Sequence, residues 1–209
     1  MTFRFYRFAQ IVLWPIMRFI GHVEVIGREN VPMTGGVIIC ANHVSYMDPP
    51  TLGCSAPRPV RFMAKIELFE TPILGSLIRW CHAFPVHRGT ADRTALKTAI
   101  ETVQAGMAVA MFPEGKRSLD GTLLEAEAGV GMIVLRSNAV VIPCALVDTE
   151  KFLRPHSFLL RFSRVKVVFG EPIEYADLRQ QGGRTAVDEV SKRIMAGIGE
   201  LLEKHRTPK

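Results

Sequence analysis

GVIICANHVSYMDPPTLGC, residues 36–54, contains the three kinds of segment from which most of the chain is built. Residues 36–41 form an apolar, β-branched run that is typical of a strand buried on both faces. A polar segment, residues 42–48, follows, and the two prolines after Asp48 mark the start of a helix over residues 49–54. A buried strand, a polar loop and a helix in this order indicate an α/β fold.

Strand-like and helical segments alternate along the rest of the chain, which predicts a largely parallel central sheet flanked by helices. The other strand-like runs are residues 22–26, 60–64, 83–86, 107–112, 140–146 and 165–169. Helical patterns cover residues 72–81, 90–105, 129–137 and 185–204. Because no repeat or linker interrupts the series, we expect one domain over residues 21–209, preceded by a distinct segment over residues 1–20.

The composition of the 209-residue chain narrows the class of protein. It is 48% hydrophobic and 22% charged, which excludes disordered, collagen-like and coiled-coil proteins. The mean hydropathy of +0.17 favours contact with a membrane or an apolar substrate. A net charge of +6 suits an anionic partner, namely nucleic acid, anionic lipid or an acidic carrier protein. Since the cations are dispersed and not interleaved with aromatic residues, we expect no nucleic-acid binding.

Residues 1–20 combine basic and apolar side chains at helical spacing. Arg4, Arg7 and Arg18 fall within roughly 60° of one another on a helix of about 100° per residue, and apolar side chains occupy the rest of the surface. This pattern is typical of a helix in a membrane interface, and a helix packed on its own domain would show it equally well. No run approaches the ~20 apolar residues of a transmembrane span. We therefore predict peripheral membrane association through this segment.

Polar side chains follow four of the predicted strands at the point where each strand ends. They are residues 42–48, Lys65, residues 87–89 and residues 113–118. Because the carboxyl ends of parallel strands meet at one edge of a sheet, where α/β proteins bind ligands, we expect these residues to share one site. The site would contain a histidine, carboxylates and several cations.

His43 and Asp48 are candidates for general acid–base chemistry. Asp48 precedes Pro49, a preferred first residue of a helix, so we expect Asp48 at the N-cap and His43 in the loop before it. This loop is long enough to fold the imidazole onto the carboxylate, which would accept the Nδ1 hydrogen and leave Nε2 as a general base. In the simpler interpretation Asp48 only caps the helix; its two oxygens allow both roles.

The turn FPEGKRS, residues 112–118, presents a carboxylate, two cations and a hydroxyl at the end of a strand. Arg117 suits bidentate binding of a phosphate, and Lys116 would act as a point charge. Glu114 would accept hydrogen bonds from substrate hydroxyls. The alternative is a solvated, charged turn. The chain contains no G-x-S-x-G, P-loop, G-x-G-x-x-G or H-E-x-x-H motif, and we expect no metal site.

Four blocks of sequence together resemble the glycerolipid acyltransferase family, and within it the bacterial 1-acylglycerol-3-phosphate O-acyltransferases. The blocks are Asn42-His43-x-x-x-x-Asp48, FPVHRG at residues 84–89, FPEGKRS at residues 112–118 and VIPCA at residues 141–145. Their order and spacing match the family, and the likeness covers roughly residues 20–170. The acyltransferase domain would therefore occupy residues 21–209.

The resemblance implies a role for each of the candidate residues. His43 would be the general base and Asp48 its orienting partner. The acceptor phosphate would be bound by Lys65, Arg88 and Arg117, while Glu114 would hold the glycerol part beside Gly115 and Lys116, and residues 141–145 would line the acyl channel. The chain departs from the family at Lys116, where Thr is usual, at His87, where Asp is frequent, and at Glu125 and Glu127, in a stretch that is often basic.

The resemblance also implies the reaction and the partners. A fatty acyl group would pass from a thioester of acyl carrier protein or coenzyme A to the free hydroxyl of 1-acylglycerol 3-phosphate, making phosphatidic acid with no covalent intermediate, metal or cofactor. The alternatives are another acceptor, such as glycerol 3-phosphate or another lysophospholipid, and a non-catalytic membrane lipid-binding protein. We expect a peripheral protein that binds anionic lipid at the cytoplasmic face of the inner membrane.

Overall fold

The computed structural model describes residues 3–87, 92–154, 157 and 159–206. Its centre is a seven-stranded sheet in the order β1-β7-β6-β2-β5-β3-β4. The strands are β1 Glu24–Ile26, β2 Val37–Ala41, β3 Val60–Lys65, β4 Phe84–Val86, β5 Ala108–Met111, β6 Val140–Val147 and β7 Lys166–Phe169. All neighbouring strands pair in parallel except β6 and β7, which are antiparallel. The predicted α/β fold with a largely parallel sheet is confirmed.

The predicted helices are present, and three short ones are added. The helices are α1 Arg4–Phe19, α2 Asp48–Ser55, α3 Ile66–Glu70, α4 Pro72–Trp80, α5 Arg93–Gln104, α6 Gly129–Ser137, α7 Thr149–Phe152, α8 Ala176–Gln181 and α9 Gly183–His205. Periodicity did not predict α3, α7 and α8 because four to six residues are too few to show a helical repeat. The first two residues of the predicted helix over residues 90–105 lie outside the described residues.

The sheet carries a hydrophobic core on each face. Successive side chains of β2 point to opposite faces, so Ile38 and Cys40 join one core while Val37 and Ile39 join the other. Helices α5, α6 and α9 cover the first face, and helices α1, α2 and α7 cover the second. Both faces of the central strands are therefore covered by helices, and a ligand can bind only at the edge where the strands end.

Helix α1 packs on the domain with one side and faces solvent with the other. The Tyr6 hydroxyl and the Gln10 amide both donate to the carbonyl of Gly53 in α2, and Met17 is buried in the core. Its exposed side mixes basic and apolar residues: Arg4, Arg7, Phe8, Ile11, Val12, Arg18 and Phe19. Within the described ranges no helix is long and apolar enough to cross a membrane. Membrane association through α1 stays a prediction.

Candidate active site

The site lies at the carboxyl ends of three adjacent strands, β6, β2 and β5. The Asn42 amide, directly after β2, donates to the carbonyl of Leu146 at 3.0 Å and accepts from its N–H at 2.8 Å, which ties this loop to β6. On the other side, the N–H of Ser118, in the loop after β5, donates to the carbonyl of His43 at 2.8 Å. The predicted convergence of loops at one edge of the sheet is confirmed for the loops after β2 and β5.

His43 and Asp48 form a buried hydrogen-bonded pair. The Nδ1 of His43 lies 2.7 Å from Oδ2 of Asp48. The same oxygen accepts from the N–H groups of Val44 and Ser45, each at 2.7 Å, while Oδ1 accepts from the Thr149 hydroxyl at 2.5 Å. Because an ionised carboxylate only accepts hydrogen bonds, a neutral His43 facing it carries its hydrogen on Nδ1 and keeps the Nε2 lone pair.

Asp48 does not cap helix α2, contrary to our expectation. The helix begins at Asp48 itself, Met47 occupies the cap position, and no side chain caps the first turn. The carboxylate instead points back into the preceding loop. Since Val44 and Ser45 offer two backbone donors there and His43 a third, these contacts compete with capping for the same oxygens. Pro49 still lies in the first turn, as predicted.

Thr149 belongs to the site although sequence reasoning missed it. It is fully buried at the start of α7, two residues after β6, and its hydroxyl supplies the fourth hydrogen bond to Asp48. The signal that would have found it is the one applied to the other strands. A polar side chain following the end of β6 falls at the same sheet edge as the loop after β2.

Two further contacts hold His43, one at its ring and one at its backbone. It stacks on the Phe112 ring with centroids 4.0 Å apart and an interplanar angle of 18°. The backbone N–H of His43 donates to Oε1 of Glu114 at 2.7 Å. In the part of the chain that the structure describes, no side chain is hydrogen-bonded to Nε2 of His43. The imidazole is thus oriented by its Nδ1 hydrogen bond and by stacking, and its second nitrogen is available.

The Glu114 side chain is buried, and its carboxylate accepts hydrogen bonds from the protein itself. It is 2% exposed, Oε1 accepts from His43, and Oε2 accepts from the N–H of Leu124 at 3.0 Å. Burial raises the pKa of its carboxyl, and these two N–H donors lower it in part. Both oxygens therefore join the two loops of the site, and hydrogen bonding of Glu114 to substrate hydroxyls stays a prediction.

Arg117 and Lys116 lie on the turn after β5, where Lys116 is exposed and Arg117 is partly exposed. The Arg117 guanidinium sits 3.6 Å from the centroid of the Tyr46 ring, in the same loop as His43. Within the described ranges no carboxylate forms an ion pair with either cation. Gly115 has a φ of +67°, and a Cβ there would lie 2.8 Å from the Glu127 side chain. The turn therefore requires glycine.

Lys65 and Arg88 are the other predicted phosphate ligands. Lys65, at the end of β3, forms an exposed ion pair with Glu67 at 3.0 Å. Arg88 lies outside the described residues. Its neighbour His87 contacts Asp92, whose Oδ2 is 2.9 Å from both the N–H and the Nδ1 of His87.

Residues 141–145 do not line a channel wall as expected. They occupy the middle of β6, which is paired on both sides, and each is buried. Val141 and Ala145 face one core, while Ile142 and Cys144 face the other. Because these side chains fill the interior, the structure gives them a packing role.

Comparisons with known proteins agree on one class of enzyme. A family model described as Acyltransferase matches residues 22–147. The 1-acyl-sn-glycerol-3-phosphate acyltransferase of Bacillus subtilis is 30% identical over 95% of this chain and 98% of its own length. The enzyme of the same name from Streptococcus pneumoniae is 26% identical over 92% of this chain and 70% of its own. The crystal structure of the LPA acyltransferase PlsC from Thermotoga maritima matches with a TM-score of 0.74 and 27% identity, covering 98% of this chain and 81% of that one.

Proposed function

Because this chain belongs to the acyltransferase family, we propose that it transfers a fatty acyl group from a thioester to the free hydroxyl of 1-acylglycerol 3-phosphate, which gives phosphatidic acid. The observation that carries the proposal is the buried His43–Asp48 pair at the carboxyl edge of the sheet, with Nε2 of His43 available. A fixed imidazole with one nitrogen oriented and the other available is suited to general-base catalysis.

The mechanism we propose is direct transfer. Nε2 of His43 removes the proton of the acceptor hydroxyl while its oxygen attacks the thioester carbonyl carbon, so a C–O bond forms and the carbonyl becomes a tetrahedral oxyanion. The oxyanion then collapses, the C–S bond breaks, and the imidazolium returns its proton to the departing sulfur. Because a thiol has a pKa of about 8.5, the sulfur leaves far more readily than an alkoxide. The step therefore needs neither a covalent enzyme intermediate nor a metal.

The acceptor phosphate would bind on the exposed side of the dyad. Arg117 is oriented by stacking on Tyr46 and carries no ion pair within the described residues, so its N–H groups can meet a phosphate bidentately. Lys116 would add a second charge, and Gly115, with its positive φ, provides the bend of the turn that carries both cations. Lys65 would exchange Glu67 for the phosphate, and Arg88 is the remaining proposed ligand.

We infer the acyl donor and the cellular location of the protein from the same reaction. An acyl thioester of coenzyme A or of acyl carrier protein would meet a lipid acceptor at a membrane surface, on the cytoplasmic face of the inner membrane. The net charge of +6 suits both an acidic carrier and anionic lipid. The exposed basic and apolar side of α1 is the first candidate for peripheral attachment.

The test is thiol release by the purified protein in detergent. Palmitoyl-CoA or palmitoyl acyl carrier protein would be offered with 1-acylglycerol 3-phosphate, glycerol 3-phosphate or a neutral lysophospholipid, and the products identified by mass spectrometry. We expect release that requires 1-acylglycerol 3-phosphate and disappears in His43→Ala. Thiol release that requires a different acceptor would show that the proposed acceptor is wrong. No release with any combination of donor and acceptor would favour a lipid-binding protein without catalytic activity.

A further inference from the structure

Residues 159–164 form an exposed segment that the proposed reaction does not use. Two large apolar side chains of this segment face solvent, Leu159 at 77% and Phe162 at 80% of their full exposure. Arg161 and Arg164 are exposed beside them. Single exposed apolar residues are ordinary on a protein surface, but two such residues alternating with two cations form a patch of defined chemistry.

The segment adjoins the C-terminal end of α1. The N–H of Ser163 donates to the carbonyl of Ile20 at 3.1 Å, and the N–H of Val165 donates to the carbonyl of Gly21 at 2.9 Å. These bonds place the segment against the end of α1, whose last turn carries the exposed Arg18 and Phe19, the latter 71% exposed. Two segments that are about 140 positions apart in sequence thus share one surface.

The backbone of the segment is anchored to the domain. The N–H of Arg161 donates to the carbonyl of Phe152 at 2.9 Å, and Phe152 is fully buried in the core beneath α1. The Phe162 ring also contacts the His22 ring, with centroids 6.4 Å apart. A phenyl ring held outward by an anchored backbone loses little additional freedom when it enters another phase.

We propose that Arg18, Phe19, Leu159, Arg161, Phe162 and Arg164, which we call the Phe162 surface, dock on an anionic lipid bilayer. Apolar side chains flanked by arginines match the boundary between acyl chains and headgroups, where the rings enter the apolar layer and the cations meet phosphates. The described residues between 157 and 166 include no acidic side chain. An acidic carrier protein would be matched by the arginines but would leave the three apolar side chains without a partner.

Docking at the Phe162 surface would bring the dyad to the membrane. Strand β7 runs antiparallel to β6 with Lys166 opposite Val147, so the segment before β7 lies at the carboxyl end of β6, the same edge of the sheet as the loop that contains the dyad. The lipid acceptor would then enter the site without passing through water. This inference rests on the proposed membrane association. It adds residues 159–164, which are remote from α1 in the sequence, as a second segment that contacts the membrane.

Sedimentation with vesicles tests the inference. The protein and its variants would be mixed with vesicles of phosphatidylcholine alone, or with phosphatidylglycerol added. We expect Phe162→Ser to weaken binding about tenfold or more on both, because it removes an apolar side chain that the docked protein would bury in the bilayer. Arg161→Gln combined with Arg164→Gln should weaken binding about 20–30-fold on the anionic vesicles and little on the neutral ones.

Matched controls lie elsewhere on the molecule. Met33→Ser removes an exposed apolar side chain from the loop before β2, and Lys192→Gln combined with Lys204→Gln removes two cations from α9, on the other face of the sheet. We expect neither to change vesicle binding by more than twofold. Thermal unfolding of every variant would verify that it is folded.

Unchanged binding of both Phe162-surface variants would overturn the inference, as would an equal loss from neutral and anionic vesicles in the double arginine variant. Loss of acyl carrier protein binding with vesicle binding intact would also overturn it, in favour of a protein partner. Because sedimentation requires no turnover, failure of the proposed function is a separate result. It would appear as absent thiol release by the unaltered protein in detergent.

Discussion

The two sides of the candidate active site are built differently. On the dyad side, Asp48 is fully buried and receives four hydrogen bonds, three of them at 2.7 Å. On the cationic side, Lys116 is exposed, Lys65 has an exposed partner, and Arg117 rests on a ring that itself faces solvent. One side is a closed hydrogen-bonded network, and the other is a set of charges at the surface.

The difference reflects what each side must do. Proton transfer depends on distance and alignment, so a general base gains from being fixed before the substrate arrives. Phosphate binding depends mainly on charge and tolerates adjustment of long side chains. Substitutions on the dyad side should therefore lower kcat, and substitutions on the cationic side should raise KM. The predictions below test this division, starting with the largest effect.

Asp48→Asn should lower kcat by about 10²–10⁴-fold and leave the KM for the acceptor nearly unchanged. An asparagine keeps the size of the side chain, and its one oxygen can still accept from Val44 and Ser45. It removes the negative charge that stabilises a protonated His43. Steady-state kinetics of thiol release would measure both constants. A kcat within threefold of the unaltered enzyme would contradict the dyad.

Asp48→Ala is the companion variant that separates chemistry from folding. It leaves the buried N–H groups of Val44 and Ser45 and the Thr149 hydroxyl without an acceptor. Each buried donor left unsatisfied costs about 1–3 kcal/mol, so we expect a marked drop in the free energy of unfolding as well as in kcat. The asparagine variant should retain most of that stability, as measured by urea unfolding.

Arg117→Ala should raise the KM for the acceptor roughly 10–100-fold, because a charge-assisted hydrogen bond contributes about 1.5–3 kcal/mol. The kcat should change little, since Arg117 contacts Tyr46 and not the dyad. Arg117→Lys should recover only part of the loss, as an ammonium group cannot bind bidentately or stack in the same way. An unchanged KM in the alanine variant would remove Arg117 from the phosphate site.

Thr149→Val should lower kcat about tenfold by removing one hydrogen bond from a charged acceptor without changing the volume of the side chain. Thr149 acts through Asp48, so it is a positioning residue. The informative comparison is Thr149→Ser, which keeps the hydroxyl and loses a methyl group. If serine restores kcat while both variants keep the same KM, the effect comes from the hydrogen bond. Equal losses in both would indicate packing alone.

How far the sequence predicts this site depends on whether the relevant contact is local. His43 and Asp48 lie five positions apart on one loop, so their meeting follows from spacing and from Pro49. Thr149 reaches Asp48 only because β6 lies beside β2 in the sheet, a neighbourhood that chain order does not reveal. The partners of Glu114 are backbone groups, which have no signature in the sequence at all.

The same reasoning explains why the prediction that residues 141–145 line the acyl channel was wrong. An apolar run after a loop suits a channel wall and a central strand equally well, and only the pairing of β6 on both sides decides between them. In α1, the sequence pattern predicted an apolar and basic helix, yet the side that packs is fixed by the carbonyl of Gly53, to which Tyr6 and Gln10 donate.

The smallest expected effect concerns Asp92, at the start of α5. Its carboxylate accepts from His87 and caps α5 through the N–H of Ala95. These hydrogen bonds, led by the one from the His87 backbone, lower the pKa of Asp92 to about 2. Because the folded pKa lies below its ordinary value, the stabilisation is complete above pH 4 or so and disappears as the pH falls through about 2.

Asp92→Ala should therefore lower the free energy of unfolding by about 1 kcal/mol at neutral pH, the usual contribution of an N-cap. The difference from the unaltered protein should narrow as the pH falls below about 4, since protonation of Asp92 then removes from the unaltered protein the interaction that the variant lacks at every pH. Urea unfolding at a series of pH values would measure it. Asp188→Ala, an exposed acid on α9, is the control and should change stability by less than about 0.5 kcal/mol. A difference that stays constant down to pH 2.5 would mean that the Asp92 side chain stabilises the protein through its packing and not through its charge.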